Sequence, residues 1–242
     1  MIMHTQNLTG DRTIHRFMGK ASNIYIIEDN RQKATFLVDC GMPSDKEGLV
    51  GALRSLLPLK RVVCTHFHVD HVSGWTYLKA IFKECEIWFH EKAKPFVMGD
   101  KRIPFPSYDD YKTIIIPCMK ESGYFPGPGD FFMGGLYGTP FKKGFPLDRV
   151  AFFKNEQQVL SGFKTIQTPG HRPESVSFFD QESGVLITGD FLMVINGKLI
   201  SNTFVASKKD QKDSINKINR INGLRFIYPG HGKCVPFNNF SG

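Results

Sequence analysis

The chain has 242 residues, of which 41% are hydrophobic and 22% charged, and it carries a net charge of +8. That is an ordinary globular balance, without low-complexity tracts, in a chain long enough to bury a core in one large domain or two small ones. Five cysteines (Cys40, Cys64, Cys85, Cys118, Cys234) lie far apart with no C-x-x-C pair, which argues against a disulfide framework, removes the usual cysteine-rich zinc modules and fits a reducing compartment.

The basic excess favours anionic partners such as nucleic acid, phosphates, carboxylates or coenzyme A esters, without choosing among them. The longest apolar run, residues 113–119, is broken by Pro117 and is far short of a membrane span. The opening MIMHTQNLTGD lacks the basic-then-apolar layout of a secretory signal. A cytoplasmic protein without membrane association is expected.

In chain order, residues 23–28 (NIYIIE) and 34–39 (ATFLVD) are short β-rich runs on either side of a polar turn, the signal of a hairpin. Residues 44–47 (SDKE) have the serine-x-x-glutamate pattern of a capping box. Leu49, Val50, Leu53, Leu56 and Leu57 follow at helical spacing, so a helix is predicted from there to about Pro58. Residues 61–66 (RVVCTH) read as a buried strand. Ser73 is a candidate cap for a second helix, with Trp75, Leu78, Ile81 and Phe82 on its apolar face. Residues 86–90 (EIWFH) are the next strand.

The pattern then changes. Residues 92–146 hold eight of the fourteen prolines among many aromatics, too irregular for a long element and too apolar for a linker. An ordered insertion at about 92–147, packed as a lid or wall, is expected. Strand signals resume in VAFF (150–153), FKTIQT (163–168), SVSFF (175–179) and GVLITGD (184–190). Residues 207–221 place Ile215, Ile218 and Ile221 on one helical stripe, and RFIYPGHG (225–232) closes the series.

Residues 64–71 read CTHFHVDH. Side chains two apart in an extended segment point to the same side, so His66 and His68 can converge on one point. Asp70 and His71 follow where the chain must turn, and can face a second point nearby. Imidazole nitrogen and carboxylate oxygen are zinc ligands that also suit iron or manganese. TPGH (168–171), TGD (188–190) and PGH (229–231) share one grammar. Each sets His171, Asp190 or His231 just after a small-residue turn behind a predicted strand, where glycine lets backbone come close. His4 and His15 are expected at the surface, and His90 in a structural role.

HFHVDH, TPGHRPES, LITGD and YPGHG, in this order, resemble the metallo-β-lactamase superfamily in its dinuclear hydrolase branch, over roughly residues 23–232. The resemblance implies an α/β (α+β) chain folded as a four-layer αββα sandwich, two mixed sheets flanked by helices, in a single domain over residues 1–242 with the insertion at about 92–147. It implies His66, His68 and His171 on a first metal, Asp70, His71 and His231 on a second, and Asp190 bridging both. Two cations roughly 3.5–4 Å apart need an anionic bridge, and a water between them ionises at about pH 7, giving a hydroxide nucleophile. The resemblance also implies that Asp70 orients the nucleophile or shuttles a proton, and that Asp39 (in FLVDCG) and Thr188 stand behind the ligands. Two divalent ions are the expected cofactors, zinc by preference and iron or manganese otherwise.

Departures from relatives narrow the substrate. β-Lactamases of this fold generally have serine or cysteine at the bridging position, so Asp190 argues against antibiotic hydrolysis. Homoserine-lactone lactonases usually carry tyrosine three residues beyond it, where this chain has Met193. The flavin-linked di-iron branch replaces the second motif histidine with glutamate, whereas His68 is kept. Transfer-RNA 3′-end ribonucleases commonly insert an RNA-gripping arm between the counterparts of His171 and Asp190. Eighteen residues stand between them here, so nucleic acid is not expected as a partner.

The glyoxalase II-like group, which hydrolyses thioesters such as hydroxyacylglutathione, matches the ligand set in full. Its members carry glutathione contacts on a C-terminal helical domain, whereas eleven residues follow His231 here. The expected activity is hydrolysis of a thioester or ester, on a small substrate that can be anionic and packs on the insertion. The alternatives are a mononuclear iron sulfur (persulfide) dioxygenase using counterparts of His66, His171 and Asp190, then a lactonase or a phosphodiesterase or nuclease. A homo-oligomer is left open.

Overall fold

The computed structural model describes residues 2–155, 157–238 and 240. The chain begins with β1 (Ile2–Leu8), β2 (Arg12–Met18), β3 (Asn23–Asp29) and β4 (Ala34–Val38). It continues through α1 (Lys46–Arg54), β5 (Leu59–Val63), α2 (Val69–Val72), α3 (Trp75–Ile81) and β6 (Glu86–His90). The insertion holds α4 (Lys94–Val97), α5 (Tyr108–Asp110), a π-helical stretch (Tyr111–Ile115), α6 (Ile116–Ser122) and α7 (Pro128–Met133). Then come β7 (Val150–Phe153), β8 (Lys164–Gln167), β9 (Val176–Asp180), β10 (Val185–Gly189), β11 (Leu192–Ile195), β12 (Lys198–Ser201), α8 (Lys208–Asn219), β13 (Phe226–Pro229) and β14 (Val235–Pro236).

Seven strands form one sheet in the order β1 to β7, antiparallel as far as β4 and parallel beyond it. The second sheet runs β14-β13-β10-β9-β8 and pairs β10 with β13 in parallel. Strand alternation sorts the side chains into layers. Tyr25 and Ile27 of β3, Phe36 and Val38 of β4, Val185 and Ile187 of β10, and Tyr228 of β13 meet in a core between the sheets. Ile24, Ile26, Leu37 and Val62 face the other way, onto Leu49 and Leu53 of α1 and Trp75 and Leu78 of α3. Leu186 and Ile227 turn outward onto Ile218 of α8. The result is helix, sheet, sheet, helix: the four-layer αββα sandwich.

Local details differ from the sequence reading. Ser44 caps nothing: its hydroxyl lies 2.9 Å from the Tyr124 hydroxyl, and Asp45 instead accepts from the Met42 and Lys20 amides ahead of α1. Ser73 donates to the Gly41 carbonyl, and α3 starts one residue later. There Gly74 packs so close that a Cβ would lie 1.9 Å from the Cys40 carbonyl oxygen, which ties the loop after β4 to the turn carrying His71. β5 ends at Val63, before the histidines. The β1–β2 pair and the β11–β12 hairpin carried no clear signal. His15 is buried, between Thr5 and Glu28, rather than at the surface.

The insertion is anchored on the side of the two sheets where β5 and β10 end. Phe145 packs edge-to-face on Phe67 and Phe89, the Val69 amide donates to the Gly138 carbonyl, and Ile114 and Cys118 pack on Met193 and Ile195 of β11. No helix among the described residues is long and apolar enough to cross a membrane.

Candidate metal centre

Every motif residue sits just beyond a strand, in a loop or in the short helix α2. His66 and His68 follow β5 in an irregular stretch, and the single turn of α2 carries Asp70 and His71. His171 lies in the loop between β8 and β9, Asp190 follows β10, and His231 follows β13. The two sheets thus contribute from one shared edge, and residues up to 165 positions apart in sequence become neighbours.

The seven side chains assemble as two groups that share one member. Ligand atoms of His66, His68, His171 and Asp190 lie within 4.8 Å of one another, as do those of Asp70, His71, Asp190 and His231. In the first group His66 Nε2 and His171 Nε2 stand 3.2 and 3.0 Å from His68 Nδ1. A tetrahedral ion with metal–nitrogen bonds of about 2.0–2.1 Å separates its ligand atoms by roughly 3.3 Å, close to this spacing. In the second group His71 Nε2 and His231 Nε2 lie 3.5 and 3.3 Å from Asp70 Oδ2. Asp190 reaches both, with Oδ1 3.2 Å from His71 Nε2 and Oδ2 3.3 Å from His231 Nε2 and 3.9 Å from His66 and His171 Nε2.

Charge and tautomer agree with that arrangement. Burial, then neighbouring imidazoles, pushes His66 and His68 well below the usual histidine range, and burial pushes His171 down to about 4. All three present lone pairs at neutral pH, as a cation requires. Burial also opposes charge on His71 and His231, but Asp190, aided by Asp70, outweighs it and holds both well above the ordinary value. Burial would raise the Asp190 carboxyl, yet His231 and His71 hold it well below the usual carboxylate range. A bound cation replaces those protons as the neutralising charge.

The donors fit a metal better than they fit each other. Buried His71 Nε2 and Asp190 Oδ1 make no hydrogen bond although they are 3.2 Å apart, so neither is satisfied by the other. The His68 ring likewise points a single nitrogen at two other imidazoles, where a proton could serve only one of them.

Three partners set the ring orientations. Asp39 Oδ2 accepts from His71 Nδ1 at 2.8 Å, leaving Nε2 for the centre. The Thr65 hydroxyl bonds Asp39 Oδ2 at 2.9 Å and lies 3.0 Å from His66 Nδ1, so one carboxylate steadies two rings. The Phe204 carbonyl accepts from His171 Nδ1 at 2.6 Å. Sequence reasoning named Asp39 and missed the other two. Thr65 sits next to His66 and could have been suspected, but a backbone carbonyl carries no residue-type signal. Thr188 braces the turn rather than a ligand, since its hydroxyl donates to the Leu192 carbonyl at 3.1 Å. His90, 3.1 Å from Asn155 Oδ1, caps the turn after β6 and has a structural part.

Asp39→Asn is expected to lower metal affinity at the His71 half by about 10–100-fold, because the amide cannot take up the imidazolium-like dipole as a carboxylate does. Titration calorimetry with zinc checks this, and an unchanged second binding step would contradict it.

The family model described as the metallo-beta-lactamase superfamily matches residues 18–231. Among curated relatives, YobT of Bacillus subtilis is 26% identical over 186 residues, covering 74% of this chain and 65% of that protein. The probable metallo-hydrolase YflN of the same organism is 22% identical over 246 residues, covering 94% and 86%. Hydroxyacylglutathione hydrolase GloC of Haemophilus influenzae is 27% identical over 175 residues, covering 70% and 66%. The chain therefore spans just under two thirds of YobT and GloC.

Among solved structures, the superfamily protein ST1585 from Sulfolobus tokodaii aligns at TM-score 0.61 with 20% identity, covering 92% of this chain and 81% of that one. TTHA1623, solved in a di-iron-bound form, aligns at TM-score 0.58 with 20% identity, covering 89% of each chain. These two likenesses carry the fold alone. With the family model spanning every one of the seven converging side chains, the chain belongs to the metallo-beta-lactamase superfamily.

Proposed function

We propose that the chain is a two-metal hydrolase of thioesters or esters with an apolar acyl group. The observation that carries this reading is a cavity of about 250 Å³ that opens onto His68, Asp70, His171, Asp190 and His231 and is walled on its other side by the insertion. Ile103, Phe105, Ile114, Ile115, Phe131 and Phe141 line it, and no lysine or arginine does. Such a wall takes up hydrocarbon and leaves a phosphodiester or a glutathione carboxylate without a partner. The activity in the name of the Haemophilus relative is itself a thioester hydrolysis.

The second cluster supports two metals over the mononuclear dioxygenase, for which the counterparts of His66, His171 and Asp190 suffice. Met193, buried against the cavity where lactonases carry tyrosine, has no hydroxyl to offer a lactone.

Divalent cations, when bound, supply an acidified water as nucleophile and polarise the acyl carbonyl. The chain's own side chains do the rest. His66, His68 and His171 would hold one cation, Asp70, His71 and His231 the other, and Asp190 both. Asp70 is part-exposed on the cavity, which supports a role in orienting a proton or carrying one away. The insertion keeps bulk water from the acyl arm.

The donor set admits zinc, iron or manganese, so metal analysis of protein purified without added metal assigns the ion. A panel of thioesters, esters, lactones and phosphodiesters tests the reaction, and turnover of phosphodiesters alone would overturn the proposal. Along a series of short straight-chain acyl thioesters, kcat/KM is expected to rise about fourfold per methylene, until the cavity is filled. A flat profile would contradict the acyl pocket.

A further inference from the structure

We infer that the mouth of the cavity is a binding site for an anionic head group. On this view the substrate is an amphiphile, with its apolar acyl arm inside and its negative charge at the rim. The inference rests on the acyl-hydrolase reading above and names the class of substrate within it.

Among the described residues, ten of the eleven large hydrophobic side chains that stand exposed lie between residues 98 and 147, so the insertion is where this chain presents an apolar face. Phe105 and Phe141 both line the cavity and are 64% and 66% exposed, and their rings meet edge-to-face with centroids 5.3 Å apart. These two rings form part of the rim.

Exposed cations flank them on both sides. Lys101 and Arg102 precede Phe105 on one segment, and Lys142 and Lys143 follow Phe141 on the other. The segments adjoin, since a Cβ on Gly99 would lie 3.2 Å from the Gly144 nitrogen. Asp100 is the one acidic side chain in residues 99–105 and 141–147, against four basic ones. The ion pairs that lysines and arginines make among the described residues involve Arg12, Arg31, Arg149, Arg172 and Lys209, and none of these four. Like charges gathered this way repel one another, and a bound anion relieves that repulsion. The insertion's side of the cavity carries no lysine or arginine, so the acyl arm meets hydrocarbon there and negative charge is matched outside. That contrast sets which end of an amphiphile enters.

The test compares steady-state kinetics on decanoyl-coenzyme A and decanoyl-N-acetylcysteamine, which share the acyl group and the thioester, the second lacking the phosphate-bearing remainder of coenzyme A, and the salt dependence isolates the charge. The metal-loaded enzyme is expected to show a KM about tenfold lower for the coenzyme A thioester, with the gap closing in about 0.5 M NaCl. The double variant Lys142→Glu/Lys143→Glu is expected to raise that KM about tenfold and the N-acetylcysteamine KM less than twofold. Lys60→Glu, at the far end of β5, is the charge control and is expected to move neither. Equal KM values for two thioesters that are both turned over, or a double variant that shifts both alike, overturn the inference and leave the hydrolase reading standing. Turnover of neither thioester removes the thioester reading and this inference with it.

Discussion

Replacing Asp190 with alanine is expected to cut bound metal from two ions per chain to one or none and to lower turnover about a thousandfold. The carboxylate is the member common to both groups of donors, with oxygens 3.2–3.9 Å from four imidazole nitrogens. Without it, two cations held by the two groups would have no carboxylate of Asp190 to offset their mutual repulsion. A divalent ion contributes several kcal/mol of transition-state charge stabilisation, which corresponds to about three powers of ten in rate. Elemental analysis and kcat/KM on the same preparation check the expectation. Asp190→Asn keeps the shape and removes the charge, so it should lose metal almost as completely. Two retained ions with undiminished turnover in Asp190→Ala would show that the bridge lies elsewhere.

Gly230→Ala is expected to lower kcat/KM about a hundredfold, from a substitution of one methyl group outside the set of donors. A Cβ there would lie 2.3 Å from Asp190 Oδ1 and 2.9 Å from the Gly189 carbonyl carbon. The Gly230 amide also donates to the Gly189 carbonyl at 2.8 Å, which fastens the ends of β10 and β13 together. The methyl must therefore turn the Asp190 carboxylate or part the two strand ends. A displacement near 1 Å at reacting groups costs about two powers of ten. Gly51→Ala, in α1 with nothing within 4 Å of the added carbon, is the matched control and should keep full activity. Wild-type metal content and kinetics in Gly230→Ala would mean that the site tolerates a shifted bridge.

Much of the centre could be read from one dimension because its constraints are local. Four ligand-capable residues within six positions, and three turns in which glycine precedes His171, Asp190 or His231, each describe a strand end that presents a donor. Helix starts were less legible. The serines at 44 and 73 have the chemistry of caps, but tertiary neighbours claim their hydroxyls: Tyr124 from the insertion and the Gly41 carbonyl from the loop after β4. The same competition explains His15, whose ring is covered only because β1 and β3 flank β2. The insertion's aromatics announced an ordered segment, but what it packs on depends on contacts such as Phe145 with Phe67, some eighty residues apart.

The amino-acid order by itself determined the candidate donors, since short-range spacing at strand ends encodes them, and its motifs carried the resemblance that implied the family and the layered fold. Only the tertiary structure decided which nitrogen of each ring faces the centre. That depends on what the opposite nitrogen finds: Asp39 for His71, Thr65 for His66 and the Phe204 carbonyl for His171. It also decided that an apolar wall without lysine or arginine faces the donors. Orientation and enclosure come from groups remote in the chain, and pattern along the chain does not carry them.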